Sequence, residues 1–345
     1  MNVDIALFLF QDGIINAAIY ALLALALVLV FTVTRIIFVP QGEFITFGAL
    51  TLASMQQGLF PATVYVAVVL GFIAGAYELI AALRAKRSPA PWKMALFVVY
   101  PGVLWLLLRG QDLQAASLLV QIALTMAIVV PLGPMLYRVV FQPLANTTVL
   151  VLLIASVAAH LVLVGVGLLA FGPEGSRTTP LSDAVFSVGP LIISGQSLVM
   201  VIMSLVLIAG LAWAFSATLF GKALRATAVN RAGARLVGIR PEMSGQLCFL
   251  LAAVVGVLSG ILISPLTTVY YDTGFTIALK GFVAAIIGGL ASYPVAAAGA
   301  VFVGMLESFS SFWASSFKEV IVFSLIIPVL LWRSLTSNDI EEEGE

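Results

Sequence analysis

The feature that most constrains this chain is a succession of apolar runs, many as long as a bilayer is thick, broken only by short polar or Gly/Pro-containing punctuation. A hydrocarbon core of about 30 Å takes about 20 helical residues, and the runs at 13–33, 148–170, 196–219 and 244–264 all have that length. Only 9% of the 345 residues are charged, and the mean hydropathy is +1.16. Soluble domains carry about 25% charged residues, so this chain cannot cover a water-facing surface of its size. In lipid the backbone must satisfy its own hydrogen bonds, which leaves helices or closed barrels. The runs are too long and too uniformly apolar for the alternating strands of a barrel. The sequence therefore predicts an all-α, polytopic transmembrane helical bundle forming a single domain over 1–345.

Spans are expected near 13–33, 42–58, 60–83, 91–108, 114–137, 148–170, 196–219, 244–264, 276–292, 294–312 and 319–333, roughly 9–11 membrane segments. The segments 42–58, 91–108 and 276–312 are the least regular and are candidates for re-entrant or broken helices. If the spans alternate, one side receives Arg35, Arg84, Lys86, Arg87, Lys93, Arg138, Lys222, Arg225, Arg231, Arg235, Arg240 and Arg333, which is 12 of the 16 basic residues. The other side receives Arg109, Arg177 and Lys318, with Lys280 inside a span. Positive charge gathers in cytoplasmic loops, so the N-terminus is expected outside and the C-terminus in the cytoplasm. The first residues, MNVDIALFLFQDG, lack a basic n-region and carry Asp4 and Asp12, unlike a signal peptide. The acidic run Glu341–Glu345 reads as a solvated end.

Net charge is zero, so nothing points to nucleic acid. Cys248 is the only cysteine and His160 the only histidine; this excludes an intrachain disulfide and a cysteine metal cluster. His160, in an apolar run, reads as a packing residue rather than a proton relay. There is no G-x-x-x-x-G-K-[ST] to cradle a nucleotide and no G-x-S-x-G elbow. The chain therefore reads as a non-enzyme with no cofactor or metal of its own.

Two hydrophilic stretches remain. Residues 172–195 are rich in Gly, Pro, Ser and Thr and read as an extracytoplasmic loop. Residues 221–241, GKALRATAVNRAGARLVGIRP, form the longest basic segment. Lys222/Arg225 and Arg231/Arg235 have spacings that share a helix face, and Asn230 between them suits a turn. The stretch reads as a short amphipathic helix pair, lying on anionic headgroups or presented to a protein partner.

The loop's pattern, with Gly221, Arg225, Ala226, Ala234, Gly238 and Ile239, resembles the cytoplasmic coupling loop of the branched-chain amino-acid (LivH/LivM) family of ABC importer permeases. Ala232, Gly233 and Ala234 stand where importer permeases commonly carry Glu-Ala-Ala. The first span and its exit resemble the family's opening through Gly13, Tyr20, Ala21, Leu22, Gly42, Glu43 and Phe44. Phe38, Val39, Pro40 and Gln41 depart from the usual Asn-Phe-Ala-His. The stretch Lys280–Glu307 keeps the Lys, the Phe, the Gly pair, the Ser and the Glu, whereas 84–115 matches no such pattern and reads as an added span. The resemblance implies a permease of the bacterial inner membrane, for branched-chain or other apolar amino acids or for urea or short amides. It implies three kinds of partner: a second permease subunit, identical or not; two cytoplasmic ATPases that use ATP and Mg; and an extracytoplasmic substrate-binding protein. The coupling residues would be Gly221, Lys222, Arg225, Arg231, Ala232, Gly233, Ala234, Arg235 and Gly238.

Within the membrane, ionisable residues are costly and usually functional. Lys280, with Glu307 as partner, reads as either a structural ion pair or a substrate contact; such charges would also serve a stand-alone secondary carrier. Gly288–Gly289 suits close helix approach or a break between half-helices, where a helix N-terminus would receive a carboxylate. Thr267, Thr268, Tyr270 and Tyr271 either line the outer mouth or form an aromatic belt. Glu43 completes the candidate path.

Overall fold

The computed structural model describes residues 3–84, 86, 88 and 91–336; Arg87 and Glu341–Glu345 lie outside the described residues. In chain order its helices begin with α1 (Val3–Thr34), α2 (Gln41–Gln56), α3 (Thr63–Arg84), α4 (Pro91–Leu108), α5 (Leu118–Leu144) and α6 (Val149–Phe171). A hairpin of β1 (Val185–Val188) and β2 (Leu191–Ser194), paired antiparallel, precedes α7 (Gly195–Ala217). Then come α8 (Leu219–Val229), α9 (Arg231–Leu236), α10 (Pro241–Ile263), α11 (Thr273–Ile287), α12 (Tyr293–Trp313) and α13 (Ser315–Trp332). Nine of these, among the described residues, are long and apolar enough to cross a bilayer. The chain is thus an all-α polytopic membrane protein.

The expected boundaries shift in places. α1 begins at Val3 rather than near 13, and α5 runs on to Leu144. The doubtful 276–312 stretch resolves into the short α11 and the full-length α12. The doubtful 42–58 is α2, a helix of 16 residues, or about 24 Å at 1.5 Å per residue. That is too short to span, and its position explains why. Gln41 Nε2 donates to the carbonyl of Ala252, 3.0 Å away and midway along α10. α2 therefore starts at half depth, after a non-helical segment that begins at exposed Arg35 and is buried or half-buried over 36–40.

The break has local causes. Arg35 takes a left-handed conformation (φ 61°), and Pro40 lacks the N–H a continuing helix would need. The amide of Val39 donates to the Ile37 carbonyl and to Ser156 Oγ of α6, each at 3.0 Å. α2 is buried from Gln41 to Ala53, and it packs closely because small residues meet its neighbours. Gly42 faces the carbonyl of Gly274 on α11, where any side chain would collide with backbone.

Loops are tied together at two ends. At one, Thr179 N–H donates to Gln56 Oε1, Gln11 to the Ile192 carbonyl, and Ser176 bridges Val269. At the other, Arg231 donates to the Ala145 carbonyl.

Prolines shape the added span and its neighbour. Pro101 cannot bond the carbonyl of Phe97, and a π-helical turn (Ala95–Val99) precedes it in α4. That carbonyl sits against Gly71 of α3. Pro131 likewise frees the carbonyl of Ala127 in α5, and Tyr100 Oη donates to it at 2.8 Å. The freed Ala127 carbonyl thus finds a donor on a neighbouring helix, as lipid favours. Tyr100→Phe is expected to lower stability by about 0.5–1.5 kcal/mol, measured by reversible unfolding in detergent. In a Pro131→Ala background, where the substituted residue supplies its own amide to the Ala127 carbonyl, the same change should cost clearly less.

Candidate functional site

Three charged clusters lie inside the bundle. The first joins α1, α11 and α12: Lys280 Nζ donates to Glu307 Oε1 at 2.5 Å, and Tyr20 Oη donates to Glu307 Oε2. Tyr20, Lys280 and Glu307 are all buried, and the ammonium lies 5.9 Å from the centre of the Tyr20 ring. Small residues bring the helices to this distance, with Gly281 against Leu23 and Gly304 against Ala17. A lysine at the bilayer centre costs about 2.5–3.5 kcal/mol on insertion scales, and the carboxylate offsets it. Both oxygens of Glu307 are engaged by protein donors, an arrangement that ties three helices together.

The second cluster is at the N-terminus of α2. Glu43 Oε1 lies 2.7 Å from Nδ1 of His160 on α6. The imidazole stacks on Phe275 of α11, with ring centres 4.2 Å apart. Glu43 Oε2 and Gln41 Oε1 are buried acceptors with no hydrogen-bond partner among the described residues. On the far side of Phe275, between α1, the 37–39 segment, α6 and α11, is an apolar cavity of about 210 Å³. Sequence reasoning singled out Glu43 and treated His160 as packing. It did not pair them, because 117 residues separate them.

The third cluster was missed. Glu78 of α3 receives Lys93 Nζ of α4 at 3.0 Å and Arg138 Nη2 of α5 at 2.8 Å. The sequence reading counted Lys93 and Arg138 as loop charges; the structure buries the Arg138 side chain against Glu78. The signal available in the sequence was a lone Glu78 inside an apolar run.

The remaining candidates lie at the ends. Gly288 caps α11 and Gly289 turns the chain at φ 64°, so the pair marks a helix C-terminus. α12 begins shortly after it, at Tyr293, and Gly288 lies against Ala296 of that helix, a close helix approach. A second helix that begins within the bundle is α2. Thr268 accepts from Arg177 Nε at 2.8 Å, and half-exposed Tyr270 packs on Gly175; Thr267 and Tyr271 belong to the same 264–272 connection, at the end opposite α8.

The basic stretch 221–241 forms α8, carrying Gly221, Lys222 and Arg225, and α9, carrying Arg231, Ala232, Gly233, Ala234 and Arg235. Asn230 N-caps α9, its side chain accepting from Gly233 N–H at 2.8 Å. Gly238 closes α9 at φ 86°, with Ile239 N–H bonded to Ala234 C=O and Gly238 N–H to Arg235 C=O. That is a Schellman ending, which needs glycine at this position. A concave surface between the two helices is lined by Lys222, Arg225, Val229, Asn230, Gly233 and Val237, and open to solvent. Val229, Leu236 and Val237 are 87%, 89% and 75% exposed beside it.

The sequence profile of the family described as branched-chain amino acid transport system, permease component, matches residues 94–330, more than half of the chain. The chain belongs to that family. The permease is 23% identical over 289 residues to the high-affinity branched-chain amino acid transport system permease protein BraD of Pseudomonas aeruginosa, covering 82% of this chain and 94% of that one. It is 26% identical over 290 residues to LivH of Escherichia coli K12, a permease protein of the same description, covering 81% and 92%. The probable branched-chain amino acid permease LivH of Methanocaldococcus jannaschii matches 193 residues at 28% identity, covering 54% and 61%. No solved structure matches the permease.

Removing one member of a buried ion pair strands the other. Lys280→Met and Glu307→Leu are each expected to destabilise the permease by about 3–5 kcal/mol, with the double variant costing clearly less than their sum. A double-mutant cycle of unfolding in detergent measures the coupling; additive losses would show that the pair contributes nothing jointly.

Proposed function

We propose that this permease is the membrane-spanning subunit of an ATP-driven importer in the bacterial inner membrane and that its cargo is a branched-chain amino acid. The observation that carries the reading is the α8–α9 surface. Exposed aliphatic groups rimmed by cationic side chains mark a protein interaction site, and here they project from the bundle's most basic end. The proposed partners there are two cytoplasmic ATPases, which bind and hydrolyse ATP with Mg. An extracytoplasmic binding protein would deliver cargo to 172–195 and 264–272, and a second permease subunit would complete the path. The Tyr20–Lys280–Glu307 cluster is proposed as a structural lock, since both oxygens of its carboxylate already accept from protein donors. The names and high coverage of BraD and LivH support the cargo class.

Orientation follows from the positive-inside rule. In a Cys248→Ser background, Ser88→Cys should resist a membrane-impermeant thiol reagent in intact cells, and Asp183→Cys should react. The reverse pattern would invert the topology.

Leu236→Glu and Val237→Glu alter exposed side chains and should change folding stability by no more than about 0.5 kcal/mol. In the reconstituted complex they should lower ATP hydrolysis stimulated by leucine-loaded binding protein at least about tenfold, equivalent to about 1.4 kcal/mol of lost docking. If α8–α9 instead lay on lipid headgroups, the loss would be small and would vary with anionic lipid content.

A further inference from the structure

The apolar cavity beside the break in the chain has a composition and a position that packing alone does not require. Its walls are Leu27 of α1, Phe38 of the non-helical segment, Leu153 of α6 and Phe275, Leu279 and Phe282 of α11. At about 210 Å³ it far exceeds the ~10–15 Å³ needed for one water, yet an apolar cavity does not hold ordered water. It also falls below the ~300–1,000 Å³ of pockets for drug-sized ligands, which suits a small branched hydrocarbon group. Non-helical backbone at membrane depth persists where it is buried in protein or lines a cavity, and residues 37–39 do line this one. Phe275 connects the cavity to polar chemistry, because its ring also stacks on His160, which pairs with Glu43.

We infer that this cavity receives the aliphatic side chain of the transported amino acid during its passage, with Phe38, Phe275, Leu279 and Phe282 setting which branches fit. The inference rests on the branched-chain cargo proposed above and adds where in this chain that cargo is sensed. Ala278, also in the wall, is the natural place to fill the cavity, and Phe282 the natural place to enlarge it.

The test uses the complete complex in proteoliposomes, with a diazirine analogue of leucine supplied through the binding protein and photoactivated during ATP turnover. Adducts are expected on the 275–282 peptide and on residues 37–39, and excess leucine should suppress them. Misfit of one methylene in an apolar pocket changes discrimination by about 10–200-fold, so Ala278→Phe should reduce these adducts at least about tenfold. Phe282→Ala removes bulk rather than adding it, and should reduce adducts at Leu279 similarly even if Ala278→Phe fails to assemble. Adducts confined to other parts of the bundle would overturn the inference. So would labelling of the same peptides by a diazirine fatty acid that leucine does not displace, which would make the cavity a lipid site. Absence of ATP-dependent leucine uptake by the unaltered complex would overturn the transport reading itself. Uptake without cavity adducts would overturn only the pocket.

Discussion

Lipid offers no hydrogen bond to a peptide group, and the architecture follows from how this chain meets that demand at 35–40. After exposed Arg35, whose amide still bonds the Phe31 carbonyl of α1, residues 36–40 run non-helically into the bundle and rely on their surroundings. Ser156 takes the amide of Val39, the carbonyl of Ala252 takes the side chain of Gln41, and the short α2 is enclosed by α5, α6, α10 and α11. That enclosure explains the glycine contacts. Gly256 and Gly260 on α10 and Gly274 on α11 are the places where α2 comes within backbone contact of its neighbours.

The interior charges divide by how completely each is satisfied. Glu307 accepts from a lysine on one oxygen and a tyrosine on the other and links three helices. Glu78 meets two cations and fastens the added helix α4 to α3 and α5. Glu43 is different. One of its oxygens faces His160, while the other, like Gln41 Oε1 beside it, is buried with no hydrogen-bond partner among the described residues. A buried acceptor without a partner is expensive. Among the described residues no lysine or arginine pairs with Glu43, and that separates it from the other two clusters.

α10 links the two regions of interest. Its first turn carries Glu242, paired with Arg235 of α9 at 2.9 Å; its middle holds Gln41, and Phe249 packs on Phe38 with ring centres 4.5 Å apart. On the proposed reading, a push on α8–α9 reaches the wall of the cavity through a single 23-residue helix. The Arg235–Glu242 pair is too exposed to contribute much to this connection. A buried contact between Thr227 of α8 and Ser244 of α10, 3.0 Å apart, joins the helices as well.

The sequence by itself determined the all-α membrane class, since lipid leaves only helices or closed barrels and the apolar runs are too long and too uniform for barrel strands. It also located the basic helix pair at 221–241, whose turn at Asn230 and ending at Gly238 are local matters of capping and φ. Lys280 and Glu307 were visible as a pair because each is an isolated charge in an apolar run on consecutive helices. Tertiary structure decided what depends on distant contacts. Pairing Glu43 with His160 and Glu78 with Arg138 requires knowing which helices are neighbours, and apolar periodicity cannot report that when every face is apolar. Nor could the sequence show that α2 begins at half depth. Pro40 marks a break, but only the contact of Gln41 with the middle of α10 says how far into the membrane the break lies.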